Sequence, residues 1–184
     1  MLIEAIGLSL IVAIIRRGDI GLLGKLDLRR AWLIFVPAAL IATLYTKYIP
    51  GMEFMGRLTL PVHIVAYLIA LTAIWSNRHL PFMLLIGFGA ALNFTVIAVN
   101  DGRMPVSVKA KNMTGLQNPL SSEQNARHAP IDGSTKLAFL ADTIPITRPP
   151  FPFPGVISVG DIVLSVGLFI LIQRATCLPK LRNG

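Results

Sequence analysis

Charged side chains are scarce: they make up 14% of the 184 residues, against roughly a quarter in a soluble domain. A chain with so few cannot clothe itself for water, which argues against an ordinary soluble domain. Cysteine occurs once, at Cys177, so the chain can form no internal disulfide and no cysteine metal cluster. Of the three histidines, only His63 falls in an apolar run; His79 and His128 lie outside. That excludes haem held by two embedded histidines, and no other cofactor or metal is indicated. There is no P-loop, no GxGxxG after a strand and no GxSxG. No internal repeat divides the chain into halves, which weighs against an inverted-repeat transporter.

What is present is apolar: 54% of the residues are hydrophobic. They collect in stretches over 1–15, 31–48, 58–75, 80–99 and 155–173. A bilayer span needs about 20 apolar residues, with a range near 17–25. The expected fold is therefore an all-α integral membrane protein, one domain over 1–184, with five transmembrane helices. The first stretch is short, reaching about two thirds of a bilayer core. It begins MLIE and ends in RRGD, unlike a cleaved secretory signal.

Seventeen Lys and Arg face nine Asp and Glu, a formal charge of +8. With five spans, Arg16, Arg17, Lys25, Arg29, Arg30, Arg78, Arg174, Lys180 and Arg182 fall on one side. Short basic loops stay cytoplasmic, whereas long loops cross regardless of charge. This places the N-terminus outside, the C-terminus inside and a long loop, 100–154, on the extracytoplasmic face. The basic excess then meets the lipid bilayer, with no nucleic-acid role. Segment 16–30 either lies in the headgroup layer, leucines down and Lys25 up, or is a plain turn.

Trp32, Tyr45, Tyr48 and Trp75 suit the membrane interfaces, and Pro37 predicts a kink. In the fourth stretch Gly89, Asn93 and Asn100 share one face, with Gly87 and Ala91 as a small-residue pair. In the fifth, Ser158, Asp161 and Ser165 share a face beside Gly160 and Gly167. These small-residue stripes are expected to face protein: each other, a membrane-protein partner or a second copy. In the long loop, Ser107 caps a predicted helix over 108–114 that stops at Gly115. Asp132-Gly133 is a turn, LAFLAD (137–142) is apolar, and RPPFPFPG (148–155) is a polyproline-type stem.

Asp161 is the group that needs an explanation. A carboxylate inside hydrocarbon costs roughly 2.5–3.5 kcal/mol, and a helix from Gly155 would carry it about 9 Å down. Arg103, in the turn NDGRMPVS (100–107), is the expected neutralising partner. Asn100, Asn93, His63, Ser158, Ser165 and Glu4 complete a candidate polar cluster. Three readings stay open: a structural ion pair, a ligand pocket, and a catalytic site. His128, Asp132 and Asp142 are the loop residues able to serve an enzyme.

The ordered set RRGDIGLLGKLDLRRAWL, GRMPVS, DGSTKLAFLADTIPI and VISVGDIVLSVGLFILI resembles a family of bacterial multi-pass membrane proteins known only as a domain of unknown function. Its N-G-G-R-M-P-V turn is similar to 100–106, with Asp101 where glycine is usual. Its G-D-x-I-P pattern is similar to 141–145, with Ala141 for glycine, and its S-x-G-D-x-L span to 158–163. The resemblance implies a bacterial plasma-membrane location and no reaction. The favoured function is a non-enzymatic structural or accessory subunit. The alternatives are an outer-leaflet binding or transport protein for a small molecule or lipid headgroup, and an enzyme acting on a lipid or envelope precursor.

Overall fold

The computed structural model describes residues 2–43, 58–115, 128–148 and 154–177. Helix α1, Leu2–Ile15, is apolar almost throughout and stops where Arg16 and Arg17 begin. Arg17 takes a left-handed φ of 55°, and Gly18 N–H returns to the Ala13 carbonyl at 2.8 Å. A 3-10 turn follows over Ile20–Lys25, capped by Asp19, whose carboxylate accepts the Gly21 N–H. A second 3-10 turn, Ala31–Ile34, passes into α2, Phe35–Thr43. Pro37 stands in the first turn of α2, near the helix start that a residue without an N–H tolerates best.

Helices α3 (Thr59–Ser76), α4 (Met83–Val99) and α6 (Val159–Cys177) form the main bundle. Helix α4 packs against both α3 and α6, and α6 also packs on α1. Helices α1 and α6 run parallel: Ser9 lies beside Phe169, and Asp19 N–H reaches the Thr176 carbonyl at 3.0 Å further along. At the same end, buried Asn77 receives the chain between the two 3-10 turns. Its Oδ1 accepts the Arg29 N–H at 2.7 Å, and its Nδ2 donates to the carbonyls of Arg29 and Ala73.

The other end is covered by short irregular pieces. Strand β1 (Met104–Val106) pairs in parallel with β2 (His128–Pro130), and β3 (Ile144–Ile146) antiparallel with β4 (Gly155–Ile157). Between β1 and β2 lies α5, Val108–Met113. Its cap is the one the sequence expects: Ser107 Oγ accepts the Ala110 N–H, and Gly115 has φ 72° just beyond its end. The cap's apolar side joins the bundle through Val96, Ile97, Met104 and Ala141, with Leu137 and Leu140 packed on them.

Five transmembrane helices and an all-α chain are not what the structure holds. Among the described residues two helices, α3 and α6, are long and apolar enough to cross a membrane, and two small sheets are present. The orientation derived from five crossings, N-terminus outside and C-terminus inside, falls with that count, and so does the extracytoplasmic assignment of the loop. The reason is that apolar runs and helices have different ends. Residues 80–82 precede α4, where Phe82 has φ 60°, leaving a 17-residue helix. Residues 155–157 of the last run are strand, and α6 instead continues through Arg174 to Cys177. Tyr45, Tyr48, Lys180, Arg182 and most of the proline stem lie outside the described residues.

Two glycines with similar backbones separate conformational strain from crowding. Gly102 has φ 78° and would drive a Cβ into the backbone of Leu60. Gly115 has φ 72° with open space around it among the described residues. Gly115→Ala should cost about 1 kcal/mol from the left-handed backbone alone. Gly102→Ala should cost about 2–5 kcal/mol, because α3 must also shift. Thermal unfolding of both variants in mild detergent checks the contrast.

Candidate functional site

Asp161 lies in the first turn of α6 and not two turns down, because the helix begins at Val159. Ser158 is the cap residue and Asp161 is three positions on, the spacing of a capping box. The two groups exchange bonds: Asp161 N–H donates to Ser158 Oγ at 2.9 Å, and Ser158 N–H to Asp161 Oδ2 at 3.2 Å. Asn93 closes the arrangement from α4. Its Nδ2 donates to Asp161 Oδ1 at 2.8 Å, and its Oδ1 accepts from Ser158 Oγ at 2.8 Å. Ser158 and Asn93 are buried and Asp161 is half-buried.

The ring forms because glycine lets the helices approach. A Cβ on Gly160 would collide with Asn93 Oδ1, and one on Gly89 would lie 2.6 Å from the Gly160 carbonyl oxygen and the Leu164 nitrogen. A side chain at either position would hold the two backbones apart and open the hydrogen bonds.

The remaining candidates divide into separate places. Arg103 is half-buried in the turn after α4, and its N–H donates to the Asn100 carbonyl at 3.0 Å. Among the described residues no ion pair joins its guanidinium to Asp161; the carboxylate is held by Asn93 and Ser158. Asn100 serves the cap instead. Its side-chain amide bonds both the carbonyl and the N–H of Lys136, each at 2.9 Å, as a neighbouring strand would. His63 is buried in α3 with Nδ1 2.9 Å from the Thr59 carbonyl oxygen, beside Tyr67, which stacks on Phe94. Ser165 is buried on the Asp161 stripe, and its Oγ has no hydrogen-bond partner among the described residues. Glu4 is half-buried in the first turn of α1, where a carboxylate suits the helix dipole.

Of the loop candidates, the fold brings two together. His128 Nε2 lies 4.0 Å from Asp142 Oδ2, with Asp142 buried. The Asp142 backbone is pinned on both sides, accepting from Ser107 N–H and donating to the Pro105 carbonyl. Asp132 belongs to its own turn, where Ser134 donates through both hydroxyl and backbone N–H. Those bonds hold its carboxyl below the usual carboxylate range. Their contribution is therefore present above the ordinary carboxylate pKa and lost as pH falls through the lowered one. Among the described residues no group of three or more His, Cys, Asp or Glu is placed to hold a metal ion.

Sequence reasoning passed over a second polar seam. Gln173 Nε2 donates to the Ser9 carbonyl and Ser9 Oγ, its Oε1 accepts from Arg16, and Ser9 Oγ donates to the Phe169 carbonyl. Its signal was available: an amide near the end of an otherwise apolar run has to be satisfied by a neighbour.

Asp161→Ala should destabilise the protein by about 2–4 kcal/mol, since it removes half a capping box and strands Asn93 and Ser158. Arg103→Gln should stay within about 0.5 kcal/mol of the parent. Thermal unfolding of the two variants decides between the ring and an Asp161–Arg103 pair, which requires comparable losses.

An uncharacterized protein of Thermotoga maritima is 29% identical over 170 residues, covering 92% of this chain and 89% of that protein. No solved structure matches the chain. The model of a family of unknown function, DUF5317, matches residues 25–173, which takes in the bundle from α2 to α6, the Asn93–Ser158–Asp161 ring and the β cap; the chain belongs to that family.

Proposed function

We propose that the protein is a multi-pass protein of the bacterial plasma membrane that acts as a non-enzymatic structural or accessory subunit of a larger membrane assembly. The membrane part of this reading is supported by where the apolar residues sit. In α3 only 22% of the span-length window is buried; a soluble core helix of that composition would be buried nearly throughout. Ile3, Ile11, Ile15, Phe35, Leu68 and Phe88 are all more than half exposed, surface that a soluble monomer rarely offers.

The observation that carries the non-enzymatic part is the closed hydrogen bonding of Asp161. Each carboxylate oxygen accepts one hydrogen bond from a group of the same ring. The bonds from Asn93 and Ser158 fix the orientation of the carboxylate, a placement that serves to hold α6 against α4. One observation favours the second reading, a small-molecule site in the bundle: the buried hydroxyl of Ser165, which lacks a partner among the described residues.

Carbonate washing and mild-detergent purification test the proposal. The tagged chain should stay with the membrane fraction and carry a membrane protein in fixed stoichiometry, undiminished by His128→Ala. Release by carbonate would overturn the membrane reading. A bound small molecule in native mass spectra, lost in Ser165→Val, would replace the accessory reading with the binding one.

A further inference from the structure

The end of the bundle where α1, α3 and α6 finish is built differently from the other. Segment 16–30 does not hang free there. Asp19 and Gly18 lie against Thr176, Asn77 clamps Arg29 through two hydrogen bonds and is itself tied to the Ala73 carbonyl, and Leu28 packs on the cluster of Met83, Ile86 and Leu171. The result is an anchored platform whose exposed face carries Arg17, Lys25, Arg30, Arg78 and Arg174.

None of those five forms an ion pair among the described residues. The nearby carboxylates are already engaged: Asp19 caps the 3-10 turn, while Asp27 lies 3.5 Å from His79 and 3.9 Å from Arg29. Trp32 and Trp75 flank the platform, 64% and 62% exposed. The Arg78 guanidinium sits 4.4 Å over the Trp75 ring. Exposed indoles beside unpaired guanidinium groups, directly where apolar helices end, match the chemistry of a headgroup layer: rings at the carbonyl level and cations at the phosphates.

We propose that this platform binds the phosphates of anionic phospholipid headgroups, of the phosphatidylglycerol class, in preference to zwitterionic lipid. The inference rests on the membrane reading above, and it adds what that reading does not: a lipid selectivity and the residues that confer it. The cations attract the anionic surface within a Debye length, so the preference is salt-dependent. Their neutralisation leaves the fold intact, because the Arg17, Arg30 and Arg174 side chains make no internal hydrogen bond or ion pair among the described residues.

Native mass spectrometry of the full chain, exchanged into micelles with equal phosphatidylglycerol and phosphatidylcholine, measures the preference directly. Phosphatidylglycerol should be retained in excess, and the excess should fall roughly tenfold in Arg17→Gln/Arg30→Gln/Arg174→Gln. It should also fall in the parent protein when salt is raised before analysis, a test that needs no variant. Equal retention of the two lipids, or an excess unmoved by the triple change and by salt, would overturn the proposal. So would displacement of the lipid by a short oligonucleotide that binds more tightly. Carbonate resistance with equal retention would leave the membrane reading standing while this proposal fails.

Discussion

The described structure turns on one contact: the close crossing of α4 and α6, where Asn93, Ser158 and Asp161 exchange four hydrogen bonds. A carboxylate in an apolar bundle is expensive because water is not there to solvate it. The chain offsets that cost locally. The first turn of a helix presents unsatisfied N–H groups and a favourable dipole, and Asp161 sits in that turn. Asn93 then supplies the donor that the neighbouring helix backbone cannot. Gly89 and Gly160 are the geometric condition for all of it.

From this crossing the rest follows in order. Fixing α6 against α4 places β4 directly before the cap residue, so that β3 can pair with it. Asp142 lies just before β3 and bridges to Val106 of β1, tying the helix crossing to the turn after α4. Asn100 clips Lys136 into the same cap. At the opposite end α1 runs parallel to α6 and is tied to it through Ser9, Gln173 and Arg16. Among the described residues one end is thus a hydrogen-bonded cap and the other a platform with exposed basic side chains.

Much of the helical framework could be read from residue pattern. The runs at 1–15 and 58–75 match α1 and α3 closely, and the expectation that small-residue stripes meet protein holds at Gly89 and Gly160. Ser158-x-x-Asp161 was visible too, but as a helical face; as a capping box it gives a helix start, and that moves Asp161 to the rim of the helix. Length was the harder quantity. Pro81 and Phe82, or a strand at 155–157, subtract residues from an apolar run without making it less apolar. The strands themselves leave little trace, being three residues each and proline-bearing in three cases. The Arg103 expectation rested on its charge and on the turn that holds it above the bundle, and the neutral amide of Asn93 on the neighbouring helix bonds the carboxylate instead.

The most direct measurement is a double-mutant cycle between Asn93 and Asp161, with unfolding followed in a lipid-like medium. If the ring holds α4 to α6, Asn93→Ala, Asp161→Ala and the double variant should give a coupling of about 1–2 kcal/mol. Strictly additive losses, with the Asp161→Ala effect unchanged in the Asn93→Ala background, would contradict the account.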